Sequence, residues 1–473
     1  FYASNPDLVY VLLVGDHDDV PSHTYGISGS EELWSDSYYG QLTGGANDYY
    51  PELFIGRFSG NSSQITTMVN RNLEYEKTPA NGNWMTKAIG LASDEGSGFG
   101  DDGQSDYEHH QAMRSKLLGF GYTTVYEFYD GSQGGTDASG DPSSSIVSQA
   151  VNSGVGLFNY TGHGDLNTCI TGNYSSSDVN GATNNGMYPF VISVACNNGT
   201  FVVGTCISEV WQRATHSGDP SGSIGACGSS ILMACAEPMQ TQDEMTEIIA
   251  ESYSNNKKTS LGGIFYNSQI SMLEDYNSSN NAKEVMQTWV MFGDPSTVFR
   301  NKVTTDLAAS HVSNVDLGET SVNVICNVEG AKISISKGAN VLGTGIVSGG
   351  SVTISFASLA FATGKRLGQF VQNPIYLSAK WNNTLLKFIL ILSIICTIIF
   401  YGLFSLDPVV ISRHGSDKIW FSFPLIILIF LRYLYIAWYG TYLGDPTDAL
   451  LKDRYLQVMV LIWTLLITYI FII

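Results

Sequence analysis

The chain has 473 residues, room for two to four domains, and a formal net charge of −20. That acidity excludes a nucleic-acid-binding surface, because phosphate contacts need clustered Lys and Arg. The charge is also uneven: from Arg366 onward there are 8 Lys/Arg and 5 Asp/Glu, leaving 15 and 38 before it, so the first part is near −23 and the tail near +3. The acidic, Gly/Ser/Asn/Tyr-rich first part suits a secreted protein, whereas the apolar tail reads as membrane.

The chain begins Phe1-Tyr2, almost directly on a strand, and is read as a fragment lacking its leader and first elements. Leu8 to Val14 reads as a buried strand, followed by a polar turn through Asp16, His17 and Pro21. A second strand ends Phe54-Ile55-Gly56-Arg57-Phe58, and Ser63 to Glu76 is helical. Trp84 to Ser93 contains a strand stopping at Asp94-Glu95-Gly96. A Gly/Asp loop follows, then a helix from about Asp106 to Leu118 with Ser105 as N-cap. Thr123 to Tyr129 is a strand and Ser143 to Ser153 a helix.

Two apolar runs then end abruptly at reactive side chains: Asn159-Tyr160-Thr161-Gly162-His163-Gly164 and Phe190 to Cys196-Asn197-Asn198-Gly199. Strands bounded by Gly and Asn have this pattern. In open α/β sheets, ligands sit beyond the carboxyl ends of such strands, so an imidazole and a thiol would share one rim. Together they are the minimal kit for thiol nucleophilic catalysis. Singly, each has a plainer explanation: a strand-end Cys is usually a small buried hydrophobe, and a single His a hydrogen-bonded residue.

Cys206 to Thr215 has helical spacing, Ser223 to Ala234 reads as a small-residue strand, and Asp243 to Tyr253 as a helix. This alternation predicts a largely parallel sheet with helices on its faces. After Pro295, short alternating strands over Val303 to Thr363, among them Ser321 to Cys326 and Val352 to Phe356, fit a small β-sandwich. The seven cysteines (Cys169, Cys196, Cys206, Cys227, Cys235, Cys326 and Cys396) show no zinc-type spacing, and their odd number leaves at least one thiol free.

The first 300 or so residues resemble the catalytic domain of gingipains, secreted bacterial cysteine endopeptidases. The resemblance rests on Leu12 to His17, Phe54 to Phe58, Asn159 to Gly164, Val194-Ala195-Cys196 with Asn198-Gly199, Gln242 to Met245, and Val290 to Ser296. The β-sandwich is similar to the immunoglobulin-like module that follows that domain. The resemblance implies a caspase-like α/β fold with Cys196 as nucleophile and His163 as general acid/base. It further implies Glu95 as the residue orienting His163, and the backbone N–H groups of Gly164 and Cys196 as oxyanion donors. Asp106 matches the acidic floor of the pocket for a basic side chain, with Met239 beside it, and Asp36, Asp48 and Glu52 lie where calcium is held. One departure is Cys235, which stands where the family has an aromatic cover; a thiol cannot stack on a guanidinium. Plainer readings stand beside these: an acid in a first helical turn is favoured by the helix dipole, and scattered surface acids are usually just solvated.

The tail offers spans at 384 to 406 and 455 to 473 and a third candidate from Ile419 to Trp438 that carries Arg432. Tyr433, Tyr435, Trp438, Tyr439 and Tyr442 suggest an interfacial aromatic cluster. Gly444-Asp445-Pro446-Thr447-Asp448 with Leu451 to Arg454 resembles the last loop of UbiA-type membrane prenyltransferases. Asp445, Asp448 and Asp453 are read here as a solvated loop, since that family's first aspartate-rich motif is missing.

The expected organisation is a peptidase domain at 1–300, an immunoglobulin-like sandwich at 301–365 and a transmembrane segment at 366–473. The change at Lys365–Arg366 reads as an artificial join of two reading frames rather than a natural membrane anchor. The expected function is endopeptidase cleavage of protein or peptide substrates after Arg, with Lys as a second candidate, at or outside a bacterial cell surface. Structural Ca²⁺ is the one expected cofactor. An inert adhesion protein on a protease-like scaffold is the competing reading, and a polyprenyl-phosphate transferase the third.

Overall fold

In the computed structural model, residues 2–472 are described apart from residues 6, 46–47, 305, 314–319, 338–339, 357–382, 409–410, 412–417 and 440–449. The chain divides into two compact units, Phe1–Thr304 and Thr305–Ile473.

The first unit is built on an eight-stranded sheet. Its strands in chain order are β1 (Tyr10–Val14), β2 (Phe54–Phe58), β3 (Lys87–Ala92), β4 (Thr124–Tyr129), β5 (Leu157–Thr161), β6 (Phe190–Val194), β7 (Gly225–Ser229) and β8 (Trp289–Gly293). In space they run β1-β2-β8-β7-β6-β5-β3-β4. Every neighbouring pair is parallel except β7 with β8. Strands β5 to β8 are buried at every position. That burial explains why they read as continuous apolar or small-residue runs: a parallel sheet covered on both faces has no wet side.

Besides the short helix Ser176–Asn180, seven longer helices accompany the sheet among the described residues: α1 (Ser62–Lys77), α2 (Asp106–Phe120), α3 (Ser144–Asn152), α4 (Ile207–Arg213), α5 (Ala236–Ile249), α6 (Leu261–Asp275) and α7 (Asn280–Thr288). Alternate strand residues feed opposite cores. Phe190, Ile192 and Val194 pack with Met239, Met245, Ile264 and Phe265, while Val191 joins Phe158, Val147, Val210 and Trp211. Asn61 caps α1 by accepting from the Ser63 and Gln64 backbone N–H groups, and Ser105 and Glu108 form the capping box of α2.

Three expectations change. The strand at Leu8 to Val14 is an edge, not a buried strand: Tyr10 and Val14 are exposed, because β1 pairs only with β2. The strand expected over Ser223 to Ala234 stops at Ser229, and the residues after it form a loop leading to α5. Helix α5 begins at Ala236 rather than Asp243, with Glu237 and Pro238 in its first turn, where a missing N–H costs nothing. The hairpin of His23–Ser28 with Glu31–Ser35 and helices α6 and α7 were not anticipated.

One ion pair organises the β1–β2 end of the sheet. Arg57 is fully buried, and its Nε and Nη2 donate to Asp36 at 2.6 and 2.7 Å. Its remaining N–H groups donate to the carbonyls of Gly15, Asp16 and Val20. The guanidinium therefore ties the loop after β1 to the hairpin, and all its donors are used.

In the second unit, Ala309–His311, Ser321–Cys326 and Ser351–Ser355 form a three-stranded antiparallel sheet. Lys332–Lys337 and Asn340–Ile346 form a hairpin. Val322, Val324 and Ile354 make its small core. The alternating burial of Ser321–Cys326 is that of a sheet wet on one face.

Helices follow at Asn383–Leu406, Phe423–Tyr439 and Arg454–Ile472. Phe388–Leu406 and Lys418–Ala437 are long and apolar enough to cross a membrane, and Arg454–Ile470 is also apolar; residue 473, the end of the third expected span, lies outside the described residues. Asp453 is not a solvated loop residue. It is buried, accepts from Arg432 at 2.6 Å and caps the last helix through the Leu456 N–H. Asp445, Asp448, Tyr442 and the Lys365–Arg366 junction lie outside the described residues.

Arg57→Ala is expected to destabilise the first unit by about 3–5 kcal/mol, because it leaves the Asp36 carboxylate buried without its partner. Chemical denaturation checks this, with Arg57→Ala/Asp36→Ala expected to recover part of the loss.

Candidate active site

Parallel pairing sets the height of three strand ends. Ala92 of β3 is level with Thr161 of β5, and Thr161 with Val194 of β6. The ladder then continues past the strands, Ser93 N–H donating to Thr161 and Gly162 N–H to Val194. His163 and Cys196 therefore each lie two residues beyond matched positions, and Glu95 three beyond Ala92. The three side chains reach one rim because the backbone register leaves them no alternative.

They line a pocket of about 260 Å³ with Gly96, Phe99, Asp106, Thr161, Gly162, Val194, Ala195, Met233, Ala234, Cys235 and Met239. Within it His163 Nε2 lies 2.8 Å from Glu95 Oε2. Both side chains are about two-thirds exposed, so the pair contributes to positioning more than to stability. Cys196 is partly exposed, and its Sγ accepts from the Met233 N–H at 3.4 Å.

The turn after Cys196 is tightly specified. Asn197 adopts a left-handed φ of 57°, a conformation that Asn tolerates, and its N–H donates to Ile231. Asn198 is fully buried. Its amide donates to the carbonyls of Asp165 and Thr168, and its oxygen accepts from Ser193. It thus joins the loop carrying Gly164 to the Cys196 turn. A Cβ on Gly164 would lie 2.7 Å from the Cys196 carbonyl oxygen, so only glycine permits this approach.

Asp106 opens α2 and is 9% exposed. Its Oδ2 accepts from Ser93, and its N–H donates to Glu95. Burial pushes its carboxyl above the usual carboxylate range, against the pull of the Ser93 hydrogen bond. Met239, fully buried on α5, packs beneath. A buried polar cluster fixes α2 and α5 to β5: Gln242 Oε1 accepts from Thr161 at 2.8 Å and pairs with His109 at 3.0 Å, and His110 Nε2 bonds Thr161 at 2.9 Å. Burial, reinforced by neighbouring His109, holds the His110 imidazole well below its usual range, so it is neutral.

All four expected catalytic positions and both expected pocket residues are therefore gathered at one place. Ser93, Met233 and Gln242 were not singled out from sequence. Gln242 lay in one of the matched stretches, but nothing in its local pattern marks a buried amide under a pocket.

The expected calcium ligands do not converge. Asp36 spends both oxygens on Arg57 and Ser22. Glu52 accepts from the Leu42 and Thr43 N–H groups, and Asp48 from the Tyr50 N–H. Among the described residues no group of three His, Cys, Asp or Glu side chains is placed to hold a metal ion. As placed here, the three carboxylates brace their own loops.

The family model for Peptidase family C25 matches residues 1–300, and that for the family's C-terminal Ig-like domain matches 310–373. Gingipain R1 of Porphyromonas gingivalis is 37% identical over 357 residues, 75% of this chain and 34% of that protein. Gingipain R2 of the same organism is 36% identical over 352 residues, 74% of this chain and 45% of that protein. The chain thus spans less than half the length of these curated relatives. A crystal structure of the Arg specific cysteine proteinase gingipain R superposes with a TM-score of 0.68 at 34% identity, covering 75% of this chain and 79% of that one. The family match over residues 1–300 covers more than half of the sequence, and the chain belongs to peptidase family C25.

Proposed function

We propose that the chain is a cysteine endopeptidase that cuts after basic residues, on a caspase-like scaffold. The observation that carries this reading is the convergence of Cys196, the His163–Glu95 pair and Asp106 on one pocket. In the proposed mechanism the Cys196 thiolate attacks the scissile carbonyl carbon. The Gly164 and Cys196 N–H groups receive the developing oxyanion. His163, held by Glu95, gives a proton to the leaving amine, and a thioester remains. Water, losing a proton to His163, then attacks the thioester; the C–S bond breaks, the carboxylic acid leaves, and the Cys196 thiolate with protonated His163 is restored. Asp106 pairs with the guanidinium or ammonium of the residue before the cut through charge-assisted hydrogen bonds.

The other thiols of the first unit support Cys196 as the nucleophile. Cys169, Cys206 and Cys227 are fully buried, and burial pushes each thiol far up, so they remain protonated. Cys235 is exposed, yet burial of its sulfur and the nearby Asp106 carboxylate push its thiol up as well.

We further propose an extracytoplasmic location, from the acidic Gly/Ser/Asn-rich composition, with the apolar helices of the tail lying in a membrane. The boundaries read from sequence, 1–300, 301–365 and 366–473, are retained as the proposed organisation. The Arg432–Asp453 pair reads as an internal tie of the tail and carries no transferase reading.

Cys196→Ala should abolish peptide cleavage and labelling by a thiol alkylator, whereas Cys169→Ala and Cys206→Ala should retain both; full activity of Cys196→Ala sinks the assignment. Asp106→Asn should cost on the order of 2 kcal/mol or more in kcat/KM for Arg peptides. Since Asp106 binds a cation only when ionised, and its carboxyl titrates above the ordinary range, KM for Arg peptides should rise as pH falls through that raised value. The rise should be missing in Asp106→Asn. A chain ending at Gly364 should remain folded and soluble, which sedimentation and thermal melts would check; aggregation of that shortened chain alone would make the tail an integral partner.

A further inference from the structure

The loop between β3 and α2 begins at Glu95 and ends at Asp106, and the Asp106 N–H donates to the Glu95 carbonyl at its base. It contains Gly96, Gly98, Gly100 and Gly103, of which Gly96 and Gly98 have φ of 81° and 82°. The loop is internally closed: Phe99 N–H donates to Gly96 at 2.8 Å and Gly98 N–H to Gly103 at 2.9 Å. It is also seated on the pocket floor, since a Cβ on Gly100 would lie 2.7 Å from Met239 Cε. At its tip stands Phe99, 80% exposed, and among the described residues no other Phe, Tyr or Trp lines the pocket.

So large an apolar side chain gains little from folding in that position, whereas a ligand in the pocket would cover it. Asp106 is the buried acid of this pocket, while Glu95 and His163 are paired with each other in its exposed part. Apart from Phe99, the other lining side chains are small, aliphatic or sulfur-bearing. Cys235 and Phe99 both line the pocket that a basic side chain must enter to reach Asp106. Cys235 offers no π face, and Phe99 does. We propose that Phe99 is a specificity-determining residue whose ring covers the cationic end of the substrate's basic side chain. This rests on the reading of a basic-residue pocket over Asp106. The guanidinium, being planar and weakly hydrated, stacks on a ring better than an ammonium does, so Phe99 favours Arg over Lys.

The test uses the full chain and three peptides differing only in Arg, Lys or norleucine before the cut. Phe99→Leu keeps an apolar side chain of similar reach without the ring, and Phe99→Tyr keeps the ring. In Phe99→Leu, KM for the Arg peptide should rise roughly tenfold, that for Lys less, with kcat changed by no more than about twofold. Phe99→Tyr should match the wild type, and the melting temperature should be the same in all three proteins. An Arg-peptide KM in Phe99→Leu within about twofold of wild type, or an equal loss in Phe99→Tyr, overturns the role of Phe99 while leaving the pocket reading intact. A wild-type protein that cuts norleucine and Arg peptides equally overturns the pocket reading, and the role of Phe99 with it.

Discussion

The site depends on one constraint, the in-register parallel pairing of β3, β5 and β6. A parallel ladder fixes which residues stand side by side, and a slip of one residue would turn every side chain to the other face. With Ala92, Thr161 and Val194 level, the chain leaves the sheet three times at the same height. Glu95, His163 and Cys196 follow within two or three residues of that level and line one pocket. Their meeting is thus a property of the backbone, and the side chains exploit it.

Register alone would leave three floppy strand ends. Asn198 supplies the stiffness on one side by bonding both the strand before Cys196 and the loop after His163. The glycine at 164 lets those two loops touch. Gln242, His109 and His110 do the same below, holding the helix that bears Asp106 and the helix that bears Met239 against β5. Each of these polar groups is buried, so each is costly unless paired, and the pairing is what locks the elements together. A second such lock, Arg57 with Asp36, closes the far end of the sheet.

The second unit has a thinner construction. Its sandwich closes on Val322, Val324 and Ile354, and its remaining strand residues alternate toward water. The apolar helices beyond it expose most of their large side chains, Phe388, Phe400 and Leu403 among them. Such surfaces suit a lipid environment better than water. Among the described residues of these helices and their ends, the buried charge Asp453 is neutralised by Arg432 from the preceding helix.

By itself the sequence determined the alternation of strands and helices, the place of Cys196 and His163 at strand ends, the capping of α2 by Ser105, and the alternating strands of the sandwich. These are local: each follows from periodicity, a cap, or a Gly/Asn stop within a few residues. The family motifs extended that to Glu95, Gly164, Asp106 and Met239. Only the tertiary structure decided what depends on partners far along the chain. It made β1 an exposed edge, turned β8 antiparallel to β7, and paired Asp36 with Arg57. It also brought Met233 to the Cys196 sulfur and stood Phe99 over the pocket. None of these can be read locally, because a carboxylate looks the same in sequence whether it meets a cation from a neighbouring strand or water. Which of the two it meets is decided by how the sheet and its loops close around it.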